Sequence, residues 1–314
     1  MGTLHQLILD VGVEHARKVA IDKQEMQCVD AAFSILTDDR FELNLLHSGF
    51  AMTALPHKKT DLTVWERVGG AKGEIKLHVE SGYLADRTAV GIPYGSLSRL
   101  ILIYLSSEAV KNNSRVVELG PSMRAFLKRM EIPIGGKSVK LVRDQSRRIS
   151  LCRLTFYNKR VNDTVISNGS FVRNAVVTDD TVEAQMNLWQ ETVELDEVFF
   201  QSLKEHPLPV REVAIRELAG HSMAIDIYLW LSYRLRSLNR AVPVSWAALY
   251  AQFGGGYRTQ NSFVGEFKHP LRLALAAYPE ARVDIGRQGL ILHPSESPVP
   301  RVHPIAAAKR ISSF

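Results

Sequence analysis

Cysteine is nearly absent from this 314-residue chain: Cys28 and Cys152 are the only two, far apart and without a CxxC pair. No disulfide framework follows from them, and such usage fits a reducing cytoplasm. Long apolar runs are lacking too. The longest clean ones, Leu100 to Leu105 among them, fall far short of the roughly 18–20 residues of a membrane helix, so no membrane partner is expected. Asp10 and Glu14 stand where a secretory signal needs an unbroken apolar segment, which points to a cytoplasmic protein. Acidic residues are scarce in one stretch. Residues 90–160 hold 4 Asp+Glu against 14 Lys+Arg, whereas 1–89 hold 13 against 10 and 161–314 hold 16 against 15. The net charge of +6 therefore arises from a single segment, and such focusing predicts a local potential that attracts an anionic polymer.

What is present is an ordinary globular balance, 46% hydrophobic and 23% charged, which excludes wholesale disorder. At roughly 150 residues per domain the length suggests about two domains. Residues 1–40 read as helical, with apolar positions at Leu4, Leu7, Ile8 and Val11 and again from Met26 to Leu36. Residues 43–55 and 74–84 read as strands around a polar, Gly-containing stretch. From residue 88 the pattern sharpens. Ser96 can cap a helix through about Lys111, RVVEL (115–119) is a short strand, and Gly120 with Pro121 opens a second helix. Pro133, Gly135 and Gly136 break the chain before a third helix, about 137–151, and CRLTFYN (152–158) and LWQETVEL (188–195) alternate as a two-stranded ribbon would. Helix, strand, helix, turn, helix and ribbon is the order of a winged helix. A second copy of this order seats helices at 223–238, 243–254 and 261–278 and a hairpin at 281–295, turning at Gly286 and Gly289. The expected fold class is α+β: tandem winged-helix domains at 88–205 and 206–295, an α/β N-terminal extension at 1–87 and a Pro-containing tail at 296–314.

On a helical wheel Lys137, Lys140, Arg147 and Arg148 share one side with Arg143 at its edge, while Val139, Val142 and Ile149 fall opposite. That is a helix with an apolar face for a core and a cationic face for solvent. A recognition helix needs this arrangement, since its basic side chains must meet phosphates and, for Arg, guanine edges. Ser138 sits at its start. Arg124, Lys128 and Arg129 on the preceding helix add phosphate contacts, and Arg153 and Lys159 begin the wing. In the second copy, Arg258, Gln260, Asn261, Lys268 and Arg272 form the corresponding set, with Asn and Gln suited to adenine. Pro270 interrupts that helix and predicts a kink or a restart.

Catalytic and cofactor readings fail on spacing. GGKS at 135–138 is not a phosphate loop, because Glu131 stands where the first glycine belongs and Pro133 lies inside. GGG at 254–256 precedes Tyr257 and Arg258 and reads as a turn. His206, His221, His269, His293 and His303 lack metal-ligand spacing, and no nucleophile elbow or kinase signature occurs. No catalytic residue, cofactor or metal is expected.

Several long blocks in order carry a resemblance: GIPYGSLSRLILIYLSSEAV (91–110), ELGPSMRAFLKRM (118–130), GGKSVKLVRDQSRRISLCRLTF (135–156), FFQSLKEHPLPV (199–210), AIDIYLWLSYRL (224–235), PVSWAALYAQFG (243–254) and YPEARVDIGRQGLILHPS (278–295). They resemble plasmid replication initiators of the RepA type, over about four-fifths of the chain and excluding the first 40 residues. The resemblance implies binding to repeated origin sequences in double-stranded DNA, promotion of duplex opening and recruitment of the host initiator and replicative helicase. It also implies a homodimer in some states and association with plasmid or nucleoid. It puts 135–148 on the first recognition helix. The alternative is a winged-helix transcriptional regulator without initiation activity.

Overall fold

The computed structural model describes residues 2–70, 75–133, 135–159, 164–175 and 192–299. The chain opens with α1 (Thr3–Val11), α2 (Val13–Val19) and α3 (Lys23–Leu36). It continues through β1 (Leu43–His47), α4 (Gly49–Met52), β2 (Val64–Gly69), β3 (Ile75–Glu80), α5 (Gly95–Lys111), β4 (Val116–Glu118), α6 (Gly120–Arg129) and α7 (Gly136–Leu151). There follow β5 (Arg153–Lys159), β6 (Thr164–Ser170), β7 (Val172–Ala175), β8 (Thr192–Leu195) and α8 (Glu197–Glu205). The last third holds β9 (Pro207–Arg211), α9 (Glu212–Leu218), α10 (Ser222–Arg234), β10 (Val242–Ser245), α11 (Trp246–Phe253), α12 (Gln260–Ala276), β11 (Val283–Ile285) and β12 (Gly289–Leu292). The fold is therefore mixed helix and sheet, α+β.

The chain divides into two compact units. A central unit spans Asn44–Leu208, and a flanking unit joins Met1–Leu43 to Pro209–His303. The stretch 1–87, read as one extension, is thus shared between them. The reason is where apolar faces find partners. The helices α1–α3 lay Ile8, Ala16, Cys28, Val29 and Ala32 into a core shared with α12 and α9, whereas β2 and β3 hydrogen-bond onward to β5.

In the central unit α5 is buried all round. Leu100 through Leu105 are each at most 2% exposed, as expected of a helix whose apolar residues cover its whole circumference. The same unit holds an antiparallel sheet in the order β2-β3-β5-β6. Its register pairs Trp65 with Val79 and Val79 with Leu154, and Leu77 with Phe156. These side chains form the buried face, because alternate residues of a strand point to one side. A second sheet has the order β4-β8-β7.

This pairing corrects the expected ribbon of 152–158 with 188–195. β5 pairs with β3 and β6, while β8 pairs with β4 and β7; residues 188–191 lie outside the described residues. Alternation marks a segment as a strand but does not name its neighbour. Likewise β2 falls within the stretch read as polar, since only Trp65 and Gly69 of its residues are buried.

The flanking unit repeats the plan of one buried helix. Met223 to Ser232 of α10 are all buried, and α12 packs across it. Ser245 caps α11 by accepting from the Ala248 amide at 3.2 Å, and Thr259 caps α12 through the Ser262 amide at 3.2 Å. α12 runs from Gln260 to Ala276 as one helix with Pro270 inside it, so the expected restart does not occur. Strands β10, β12 and β11 form an antiparallel sheet in that order. Among the described residues no helix is long and apolar enough to cross a membrane.

Candidate nucleic-acid interface

α6 and α7 belong to the central unit, and a short break separates the end of α6 at Arg129 from the start of α7 at Gly136. Glu131 takes a left-handed backbone there, φ 56°, and Pro121 sits in the first turn of α6, where its missing N–H costs nothing. α6 buries Met123, Phe126 and Leu127, with Met130 just beyond its end, and the Phe126 ring rests 5.4 Å from that of Tyr104 on α5. Arg124, Lys128 and Arg129 are consequently exposed. α7 buries Val142, Gln145 and Ile149. Its Lys137 and Lys140 stand open to solvent, while Ser138, Arg143 and Arg147 are half-buried. Neither helix has a carboxylate in its first turn, so the positive ends of both helix dipoles go unopposed there.

Arg148 departs from the wheel. Its side chain is only 8% exposed and does not join the cationic face. Its Nε donates to Asp144 Oδ2 at 2.9 Å and its Nη1 to the Ile92 carbonyl at 3.3 Å. Its guanidinium lies 5.2 Å from the centroid of the Tyr94 ring. Gln145 completes the lock, accepting from the Tyr94 amide at 2.8 Å and donating to Asp144 Oδ2 at 2.9 Å. Gly91 makes room for it. Its φ is +82°, and a Cβ there would lie 2.2 Å from Arg148 Nη1. A wheel treats the helix as isolated. The segment 91–94 covers the carboxyl half of that face and supplies the carbonyl that Arg148 needs once desolvated.

Leu141 is the residue the sequence reading passed over. It is 48% exposed and follows Lys140 on the open side of α7. The signal was available, since at 100° per residue it falls off the Val142–Ile149 stripe.

Arg153 is exposed, but it begins β5 in the four-stranded sheet, opposite Glu80 and Ser170. The wing reading of Arg153 and Lys159 is corrected accordingly. In the flanking unit Arg258, Gln260, Asn261, Lys268 and Arg272 are all exposed. Arg258, Gln260 and Asn261 gather at the start of α12. Arg272 lies eleven residues beyond Asn261, about 16 Å along the axis. It lines a cavity of about 410 Å³ with Leu4, Cys28 and Leu275, so the structure does not bring it to the others. Burial pushes the Cys28 thiol up to about 11, which makes it an inert core residue. Among the described residues no group of three His, Cys, Asp or Glu is placed to hold a metal ion; His303 lies outside them.

Together these features define a class: an α+β chain that presents a basic helix pair on a small sheet-containing unit. Residues 92–247 match the family described as plasmid encoded RepA protein, so this segment is shown to be RepA-like, as the sequence blocks implied. No curated protein matches the chain. Among solved structures, the selenomethionine crystal structure of domains 2 and 3 of RctB is similar at 11% identity and a TM-score of 0.47, covering 71% of this chain and 84% of that one. A second crystal structure of RctB domains 2-3 gives 11% identity and a TM-score of 0.45, covering 77% and 93% respectively.

Proposed function

We propose that the protein is a plasmid replication initiator that binds repeated origin sites in double-stranded DNA. The observation that carries this reading is the exposed cationic surface of α6 and the amino-terminal half of α7 within a RepA-like segment. Lys137 and Lys140, with Arg124, Lys128 and Arg129, serve as phosphate contacts. Ser138, Arg143 and Arg147 border the groove, and Arg153 is a flanking cation. Arg148 acts indirectly, by fixing α7 against the 91–94 segment.

Strand order supports tandem winged helices. In the central unit the order α5-β4-α6-α7 is followed by β7 and β8, which pair as β4-β8-β7. In the flanking unit α10-β10-α11-α12 is followed by β11 and β12, which pair as β10-β12-β11. In both, the first strand pairs with the last, as in a winged helix. On this reading β5 and β6 are an inserted hairpin. Arg258, Gln260, Asn261 and Lys268 are the second unit's base and phosphate contacts, and Arg272 stands apart from them. Duplex opening and recruitment of host initiator and helicase then need binding and DNA deformation, not an active site in this chain.

The test is a gel-shift titration of the full chain against the DNA flanking its own gene and against a random duplex, at two salt concentrations. A ladder of specific bands on the native DNA alone, weakening steeply with salt, is the expected result. A single specific band favours a regulator. Equal weak binding to both duplexes overturns the reading.

A further inference from the structure

We infer that Leu141 reads sequence, its isobutyl group packing against the C5-methyl of a thymine in the major groove. The inference rests on the reading of α7 as the groove-binding helix and names what its open turn recognises.

Three side chains of α7 stand open to solvent: Lys137, Lys140 and Leu141. They lie within five residues of one another on the first two turns. Farther along that face Gln145 is locked to Tyr94 and Arg148 to Ile92, and Asp144 is held by both of them. The part of α7 free to enter a groove is therefore the stretch 137–141. A single exposed leucine on a protein surface is ordinary. Its neighbours make this one informative.

Lys137 and Lys140 are one turn and one residue before it, and both suit phosphate oxygens. Asp144 is one turn after it, and its carboxylate side chain is 40% exposed. That carboxylate is already paired with Arg148 and Gln145, so the open partner at this turn is the isobutyl group itself, which offers a phosphate nothing and can pack on the apolar part of a base edge. Of the four bases only thymine presents a methyl group in the major groove, and an aliphatic side chain has no other base-specific partner there. Leu141 itself makes no demand on the core, whose places on α7 are filled by Val142 and Ile149, 3% and 1% exposed.

The experiment uses the full chain and duplexes selected from a random pool for tight binding. Each thymine of the best selected duplex is replaced in turn by uracil, which removes only the methyl, and affinities are measured for the wild type and for Leu141→Ala. At one or two thymines the wild type loses about three- to tenfold in affinity, as burial of a single methyl group requires. Leu141→Ala binds the thymine duplex as weakly as the wild type binds the uracil duplex, and it is indifferent to uracil at those positions. Circular dichroism confirms that the variant stays folded, as a surface substitution to a good helix former should. Uracil without effect at every position, a selected duplex lacking thymine, or a variant as sensitive as the wild type overturns the assignment and leaves DNA binding standing. Failure of any duplex to be selected overturns the DNA-binding reading itself.

Discussion

His47 gives the sharpest test of the central unit's packing. It ends β1 and is buried, 7% exposed. Its ring stacks on Phe156 at 5.1 Å and meets Phe199 and His206 at 5.9 and 6.1 Å. Nδ1 accepts from the Gly49 amide at 3.0 Å, so the proton resides on Nε2, which donates to Ser202 Oγ at 2.9 Å. The ring is thus held neutral, and a second proton would have to displace the Gly49 amide. Burial, helped by the charge on His206, pushes its pKa from 6.5 down to about 4. In the unfolded chain the ordinary value returns. The unfolded state therefore takes up the proton first as pH falls. The contribution is complete above pH 6.5, declines through the window from 6.5 to 4, and is constant below. At 1.36 kcal/mol per pKa unit, the full loss is about 3 kcal/mol, of which about 2 kcal/mol is reached at pH 5. The assay is urea unfolding at pH 7.5 and pH 5 for the wild type and for His47→Asn. Asn keeps an acceptor for Gly49 and has no proton to gain. The variant is less stable at pH 7.5, but its stability falls by about 2 kcal/mol less between the two pH values. An unchanged pH dependence would refute the neutral, buried assignment.

His78 carries the opposite sign. Glu80 and Glu66 accept from its ring at 2.9 and 2.8 Å and raise its pKa above 6.5. Its contribution is full below pH 6.5 and is lost as pH rises through the raised value, so His78→Gln should lower the melting temperature more at pH 6 than at pH 9. Gly91→Ala forces a side chain onto a backbone at φ +82° and into Arg148; a loss of about 2 kcal/mol in urea unfolding is expected. Lys137→Ala and Lys140→Ala should weaken binding to selected and random duplexes alike, and each should reduce the slope of log K against log salt by about one.

Much of the site was legible along the chain. The scarcity of carboxylates between 90 and 160, the break at Pro133–Gly136 and the stripe Val142–Ile149 set out two basic helices at their observed places within a residue or two. Local periodicity suffices there, because a helix closes its hydrogen bonds within itself. Strand partnership was not legible. CRLTFYN alternates correctly, yet β5 bonds to β3, more than seventy residues earlier, and β8 bonds to β4. A strand's hydrogen bonds lie outside it, and its side-chain pattern is compatible with many neighbours.

The sequence by itself determined where positive charge collects, which segments are helical and which helix faces are apolar, since these follow from residue type and spacing. Only the tertiary structure decided the fate of particular polar groups. Arg148 has the composition of a DNA contact and the surroundings of a core residue, because its acceptor, the Ile92 carbonyl, arrives from 56 residues away. Leu141 has the composition of a core residue and remains open, because Val142 and Ile149 already fill the space beneath α7. A side chain's role depends on what desolvates it, and that is fixed by contacts remote in the chain.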